Sequence, residues 1–375
     1  MKTKTLKLSG AVLAALAATP AVQAAELGIS DENYSLEALI EAAKNEPPII
    51  VVDATGKIKT MAENFTALYG IEATGVKLGG QEQELILNRE AAAGNVTHDV
   101  FNMSNLPSVT TQILPTGAGV SWMPPDLVET TPAIYQTPAV TSLNPWVWSY
   151  NTEKYGDTCP VSNIWELTEP EWAGRVSIPD PLLRNETMFW FNQMETHNDD
   201  AMREAYKTHF GKELPDDVQS ATSEWVKRFA ENGPNVTRKD SEVGPAVGTP
   251  GLEDPHFGFV STAIFRAKYG YEMGICGGME PFAGQLTPRV AVIASGTDSP
   301  NAAKLFVHFM MRGEGMEPQL IDGKIATNIN TPMPEAEGSG VINYVDQLHV
   351  TNSVTTDQDY LKLQDWQDLW TVHSR

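Results

Sequence analysis

Positive charge is scarce in this chain. Its 375 residues include 26 Lys and Arg against 48 Asp and Glu, which gives a net charge of −22 at pH 7. A surface with this balance repels nucleic acid and anionic lipid. Both classes of partner are therefore excluded. Any site for a small anion has to be a local concentration of positive groups.

Long hydrophobic runs are also lacking. The apolar run at residues 8–18 is too short to span a bilayer, and no later segment reaches about 18 unbroken apolar residues. Three lysines precede that run, and Val22, Gln23 and Ala24 follow it with the small residues that a signal peptidase reads. We therefore predict that residues 1–24 are a signal peptide and that the chain is exported to the periplasm without direct membrane insertion.

Removal of this segment changes the size and the charge of the chain. It takes 24 of the 375 residues and three of the 26 basic ones, so 351 residues remain, with a net charge of −25. That length is enough for two domains, each with its own core.

Cysteine is nearly absent. Cys159 and Cys276 are the two in the chain. An oxidising compartment permits them to pair. Their separation in sequence does not show whether their Cα atoms come within reach of each other, so a disulfide and two free thiols remain open.

The common catalytic patterns are missing as well. The seven histidines are scattered, with no His-Glu-x-x-His pair for zinc, and the chain has neither a Gly-x-Ser-x-Gly elbow nor a Walker loop. An exported hydrolase is the alternative from another class of function, and no motif supports it. We expect no catalytic residue, no metal and no cofactor.

A strand, a short loop and a helix follow each other at residues 48–68. The β-branched run at residues 49–52 is typical of a strand buried on both faces of a parallel sheet. Thr55, Gly56 and Lys57 interrupt it, and Met61, Phe65 and Leu68 then follow at helical spacing. This arrangement aims backbone N–H groups and a positive helix end beyond the strand, where a small anion can bind. The alternative is a plain turn with a solvated lysine.

The same alternation continues along the chain. Strands are predicted at residues 71–78 and 99–103, with a helix at residues 81–93 between them. After a less regular crossover, a second strand–loop–helix unit occupies residues 172–194, and residues 241–247 are interpreted as a strand and turn. The pattern predicts an α/β fold with parallel, doubly wound sheets.

The order of several motifs resembles the solute-binding proteins of ABC importers, in the group that binds ferric iron, sugar phosphates and phosphonates. The matching pieces are LIEAAK at residues 39–44, the loop at 51–57, DVF at 99–101, WAGRVSIPDP at 172–181 and SPNAAKLF at 299–306. The resemblance implies a type II periplasmic binding protein, with two doubly wound α/β lobes and a ligand cleft between them.

The lobe boundaries follow from the same resemblance. The first lobe is expected at residues 25–130 together with about 275–340, and the second at residues 131–274. The remaining residues, 341–375, are expected to form a helical segment that packs on the lobes. We expect a monomer whose partners are a small anionic solute and the membrane permease of an importer.

The iron binders of that group commonly use a histidine, a glutamate and paired tyrosines. Here the corresponding positions carry the 55–57 loop without a histidine, Ser104 in place of the glutamate, and residues 261–265 without tyrosine. Fe³⁺ prefers anionic oxygen ligands, which these residues do not supply. Ferric-iron binding is therefore kept as the alternative within the family.

Hydrogen-bond donors at these positions favour a small organic anion: a sugar phosphate, a phosphonate or a carboxylate. Arg184 adds a guanidinium able to make a bidentate contact with such a group, whereas Glu186 is interpreted as an acidic first-turn residue that favours its helix. The predicted ligand-binding residues are Thr55, Gly56, Lys57, Ser104, Asn105, Arg184, Asn185, Thr187, Ser241, Ser261 and Thr262.

Overall fold

The computed structural model describes residues 27–374, so the predicted signal peptide lies outside the described residues. The strands are β1 (Ile49–Asp53), β2 (Ala73–Lys77), β3 (Val100–Met103), β4 (Gly119–Val120), β5 (Val140–Asn151), β6 (Val176–Pro179), β7 (Asn235–Thr237), β8 (Phe257–Ser261), β9 (Met273–Ile275), β10 (Gly284–Ala294), β11 (Ile325–Ala326) and β12 (Leu348–Val350). The α-helices are α1 (Leu36–Ala43), α2 (Lys57–Tyr69), α3 (Gly80–Ala93), α4 (Leu106–Ser108), α5 (Leu114–Thr116), α6 (Thr152–Tyr155), α7 (Asn185–Phe210), α8 (Ala221–Glu231), α9 (Asp240–Gly248), α10 (Pro300–Met310), α11 (Gly313–Leu320), α12 (Thr356–Leu361) and α13 (Leu363–His373).

These strands form a mixed sheet in the order β2-β1-β3-β10-β5-β8-β6-β7. At one end β1 pairs in parallel with β2 and β3, and at the other β6 pairs in parallel with β7 and β8. The long strands β10 and β5 lie between these sets and are antiparallel to each other and to β3 and β8. We call the β2-β1-β3 side the first lobe and the β8-β6-β7 side the second lobe. The expected α/β fold with two doubly wound lobes is confirmed, although two antiparallel strands join them.

The first lobe has the predicted strand–loop–helix unit. The side chain of Ser35 accepts a hydrogen bond from the Ala38 N–H and caps α1, which leads into β1. Met61 and Phe65 of α2 are fully buried, as their spacing predicts. Leu68 does not continue that apolar stripe, because 55% of it is exposed on the outer side of the helix.

The second lobe is built around aromatic residues. Eight of the nine tryptophans of the chain lie in one buried cluster that includes Trp148, Trp165 and Trp225. Helix α13 joins this cluster through Trp366 and Trp370, which pack against Phe191 of α7. Such large side chains bury much apolar area and give this lobe a continuous core.

The two cysteines form a disulfide. Cys159 and Cys276 are bonded with their Cα atoms 5.1 Å apart, although they are 117 residues apart in sequence. Both residues contact the aromatic cluster of the second lobe. The pairing that the sequence left open is therefore present.

Residues 241–247 are helical rather than a strand and turn, so that interpretation was wrong. They belong to α9, in which Val243 and Val247 are buried at a spacing of four residues. Both valines reach Gly258 of β8, where a side chain would collide with them. Contact with a neighbouring strand thus stabilises a helix in a sequence rich in Gly and β-branched residues, which individually disfavour helices.

Among residues 27–374, no helix combines the length and the apolar character needed to cross a membrane.

Candidate ligand-binding site

A cavity of about 460 Å³ lies between the two lobes. This volume is within the range of small-molecule sites. Its lining residues are Ala54, Thr55, Gly56, Lys77, Gly79, Gly80, Gln81, Ser104, Asn105, Asn144, Trp146, Leu183, Arg184, Glu186, Arg238, Lys239, Asp240, Ser241, Ser261, Ala263, Ile264, Arg266, Tyr269, Thr287, Arg289 and Lys324.

The topology of the sheet explains this position. Strands β1, β2 and β3 in the first lobe, and β7 and β8 in the second, all end at or next to residues of the lining, and β6 is followed by the lining residues Leu183 and Arg184. The carboxyl ends of parallel strands are where α/β folds bind ligands. The first turns of α3, α7 and α9 also contribute lining residues, and the positive ends of these helices favour an anion.

The net charge of the lining is opposite in sign to that of the whole chain. Seven of its side chains are basic and two, Glu186 and Asp240, are acidic, whereas the whole chain carries a net charge of −22. The basic residues are Lys77, Arg184, Arg238, Lys239, Arg266, Arg289 and Lys324. A concave, partly desolvated surface of one sign concentrates the field and attracts a ligand of the opposite sign.

Two of these cations lie on the floor of the cavity. Arg289 is 6% exposed and Lys324 is 3% exposed. Arg289 lies on β10, and its Nη1 atom is 3.5 Å from the Asp53 carboxylate at the end of β1. Burial, together with the neighbouring Arg289 guanidinium, lowers the pKa of Lys324 to about 8, against the opposing effects of Asp53 and Asp322.

Asp53 is itself fully buried. Its carboxylate accepts hydrogen bonds from Asn102 Nδ2 at 2.7 Å, from Gln319 Nε2 at 3.0 Å and from the Thr55 N–H at 3.0 Å. These donors come from β3, from α11 and from the loop that follows β1. Asp53 therefore holds the 55–57 loop against the floor of the cavity, and its carboxylate is occupied by these donors rather than available to a ligand.

The upper wall of the cavity contains a cation–π contact between a guanidinium and an aromatic ring. The Arg184 guanidinium lies over the Trp146 ring, 4.9 Å from its centroid, and the Arg184 Nε has no hydrogen-bond partner among the described residues. Across the cavity, Ser104 Oγ of the first lobe donates to Glu186 Oε1 of the second lobe at 2.6 Å. The lobes are thus in direct contact at this point.

Most of the predicted ligand-binding residues line this cavity. Seven of the eleven do so, and they are Thr55, Gly56, Ser104, Asn105, Arg184, Ser241 and Ser261. They come from five separate stretches of sequence, which the fold brings together.

The other four predicted residues, Lys57, Asn185, Thr187 and Thr262, do not line the cavity. Lys57 Nζ lies 3.6 Å from Asp322, and Thr262 Oγ1 donates to the Asp322 carbonyl. Asn185 accepts a hydrogen bond from the C-terminal segment, and the Thr187 N–H donates within its own helix turn.

Several lining residues were not predicted from the sequence. Thr287 and Arg289 precede the apolar run from which β10 was inferred, and two residues apart on a strand they share a face. Their alternation with buried Leu286 and Val290 was the available signal. Glu186 was interpreted as a first-turn residue of its helix, and it also lines the cavity.

Within residues 27–374, no group of three or more His, Cys, Asp and Glu side chains is arranged to hold a metal ion.

No protein-family model and no curated protein matches the sequence. The structure, however, is similar to solved structures of binding proteins. Iron-bound HitA from Pseudomonas aeruginosa aligns with a TM-score of 0.66 at 14% identity, over 86% of this chain and 99% of that one.

Two further neighbours have different bound molecules. AfuA from Actinobacillus pleuropneumoniae, a periplasmic binding protein with fructose 6-phosphate bound, aligns with a TM-score of 0.64 at 16% identity, over 88% of this chain and 99% of that one. AgtB from A. tumefaciens R10, in complex with agropinic acid, aligns with a TM-score of 0.60 at 14% identity, over 87% of this chain and 99% of that one. At these identities the similarity shows the fold, and the expected type II periplasmic binding protein fold is confirmed.

Proposed function

We propose that this chain is the substrate-binding component of an ABC importer. It works in the periplasm, where it captures a small organic anion between its lobes and delivers it to the membrane permease. The ligand class comprises sugar phosphates, phosphonates and carboxylates. The fold is that of transport binding proteins, so we propose binding and release rather than catalysis.

The observation that carries this proposal is the charge of the cavity. Seven basic side chains line it against two acidic ones. Donor groups from both lobes, including Ser104, Arg184 and Ser261, face the same space. We propose that the seven predicted residues in the lining contact the ligand.

Export is supported by two independent features. The first 24 residues have the pattern of a signal peptide. The Cys159–Cys276 disulfide fits an oxidising compartment such as the periplasm.

The mechanism follows from the position of the cavity between the lobes. A ligand that contacts both lobes stabilises the closed form over the open form by the difference between its affinities for the two forms. The Ser104–Glu186 hydrogen bond is one contact of the closed form that a ligand would support. The permease then recognises the closed, loaded protein.

Ferric iron is the second candidate, because iron-bound HitA is among the structural neighbours. Tyr269, Glu186 and Asp240 are the lining side chains able to offer an anionic oxygen to Fe³⁺. They share the lining with seven cations, which oppose a trivalent cation. The organic anion is therefore the better match.

The test is thermal unfolding of the mature chain with a panel of ligands. The panel contains inorganic phosphate, sugar phosphates, phosphonates, mono- and dicarboxylates, ferric citrate and polyamines. A ligand at about 100 times its Kd adds about 2.7 kcal/mol to the unfolding free energy and raises Tm. We expect a shift with organic anions. A shift with ferric iron alone would replace the proposal by its alternative, and a shift with polyamines alone would contradict both.

A further inference from the structure

The floor of the cavity contains three buried donor atoms without a hydrogen-bond partner, although one of them, Arg289 Nη1, lies 3.5 Å from the Asp53 carboxylate. Arg289 Nε and Nη1 and Thr287 Oγ1 make no hydrogen bond with any described residue. The Lys324 side chain adds a buried positive charge, 3% exposed, that interacts with the neighbouring Arg289, Asp53 and Asp322. All three residues are at least nine-tenths buried. Unpaired buried polar groups are costly, so such a set indicates a missing partner.

The geometry directs these groups toward one place. Thr287 and Arg289 are two residues apart on β10, so their side chains leave the strand on the same face. Lys324 lies close enough to Arg289 for the two charges to interact. All three residues line the same cavity.

The charge at this closed end is also unbalanced. Asp322 is paired with both Arg266 and Lys57, and Asp53 lies beside Arg289. With Lys324, four cations face two carboxylates, which leaves two positive charges. A monoanion neutralises one of these charges and a dianion neutralises both.

We propose that this floor, formed by Thr287, Arg289 and Lys324, is a subsite for a dianionic tetrahedral oxyanion, the phosphoryl or phosphonyl head of the ligand. This inference rests on the proposed function and narrows its ligand class. The Arg289 fork, the Lys324 ammonium and the Thr287 hydroxyl provide donors for several oxygens of one head group, whereas a carboxylate has only two oxygens. A phosphate monoester is mostly dianionic at neutral pH, since its second pKa is about 6.

A matched pair of probes tests the charge requirement. Methyl phosphate and methyl sulfate have the same shape, but at about pH 7 the first is mostly a dianion and the second a monoanion. We expect calorimetric titration of the mature protein to give at least about tenfold tighter binding of methyl phosphate, a factor that corresponds to about 1.4 kcal/mol. Equal affinities, or tighter binding of methyl sulfate, would overturn the proposal.

Variants then test the residues. Lys324→Met should lower the affinity for methyl phosphate at least about tenfold and reduce the preference over methyl sulfate. The control is Lys59→Met, which removes the same charge from an exposed position of α2 outside the lining. Equal losses of affinity in the two variants would mean that Lys324 acts only through the general electrostatic field of the protein, and this outcome would contradict the proposal.

Folding is monitored in the same samples. Because Lys324 is a buried charge that desolvation disfavours, Lys324→Met should leave the Tm of the ligand-free protein equal or higher. Thr287→Val is a second, nearly isosteric variant that removes only an unpartnered hydroxyl. This variant should lower the affinity for methyl phosphate severalfold and leave the Tm unchanged. An unchanged affinity would contradict the proposed contact.

The two proposals fail in different ways. A wild-type protein that binds a monocarboxylate but not methyl phosphate would refute the dianion subsite and leave the binding function in place. A wild-type protein that responds to no anion of the panel would refute both.

Discussion

The two lobes bury different kinds of residue. The core of the second lobe contains eight of the nine tryptophans and the disulfide. On the cavity side of the first lobe and the connecting strands, by contrast, Asp53, Arg289 and Lys324 are buried. Aromatic burial stabilises the fold, whereas a buried charge without a full set of partners opposes it.

This difference separates stability from recognition. The aromatic core holds β6 and α7, and therefore Arg184 and Glu186, in fixed positions on one wall. The charged floor on the other side is a place where a ligand can supply missing interactions. We infer that the unfavourable free energy of burying the charged groups of the floor is offset when an anion binds to them.

The largest effect on stability should come from the second lobe. Replacement of both Cys159 and Cys276 by alanine removes a crosslink between residues 117 apart in sequence. Loss of a native disulfide typically costs about 2–5 kcal/mol. We expect a loss of this size in urea unfolding, with the methyl phosphate affinity of the folded variant unchanged. A loss below about 1 kcal/mol would show that the aromatic core alone stabilises this lobe.

The contribution of the charged floor to the free energy of unfolding should depend on pH. Burial lowers the pKa of Lys324 from 10.5 to about 8, so between these values the unfolded chain binds more protons than the native protein. Wild-type stability should therefore rise with pH across this window relative to Lys324→Met, by on the order of 2–3 kcal/mol. The affinity for methyl phosphate should fall over the same window. Parallel stability curves for the two proteins would contradict the assigned burial cost.

A smaller effect is expected from the turn that positions Lys324. Gly323 has a φ of +81°, and an added Cβ would lie 2.6 Å from the Thr262 side chain. Gly323→Ala should cost about 1–2 kcal/mol for the left-handed conformation and also weaken methyl phosphate binding. Gly174→Ala is the control, since Gly174 has a φ of +69° and no atom close to its Cβ position. If both variants keep wild-type affinity, the turn does not position Lys324.

The sequence predicts the scaffold better than the floor. The buried strands β1 and β3 are short apolar runs, and the capping Ser35 begins α1, so local pattern is enough to identify them. Their carboxyl ends then indicate where Thr55 and Ser104 lie. Parallel pairing makes this inference from strand to site reliable.

The floor depends on contacts between distant segments. Lys324 lies between α11 and the two-residue strand β11, in a stretch without a periodic pattern. Its burial results from packing near Asp53, Arg266 and Arg289, which are far away in sequence. No local signal marks a lysine for burial, because lysine is usually exposed. The same limitation explains why Lys57, next to a predicted loop, was assigned to the site while Lys324 was not.

The smallest effect on affinity is expected from Lys57, and it tests whether the anion binds at the 55–57 loop or on the floor. Its ammonium is 3.6 Å from the Asp322 carboxylate, its side chain is 30% exposed, and it does not line the cavity. Lys57→Ala removes one charge from the region without removing a direct donor, so solvent screening should limit the loss. We expect the methyl phosphate affinity to fall about threefold or less in calorimetric titration. A loss as large as that of Lys324→Met would mean that the ligand reaches the 55–57 loop, and the first lobe would then bind the anion at the helix end rather than on the floor.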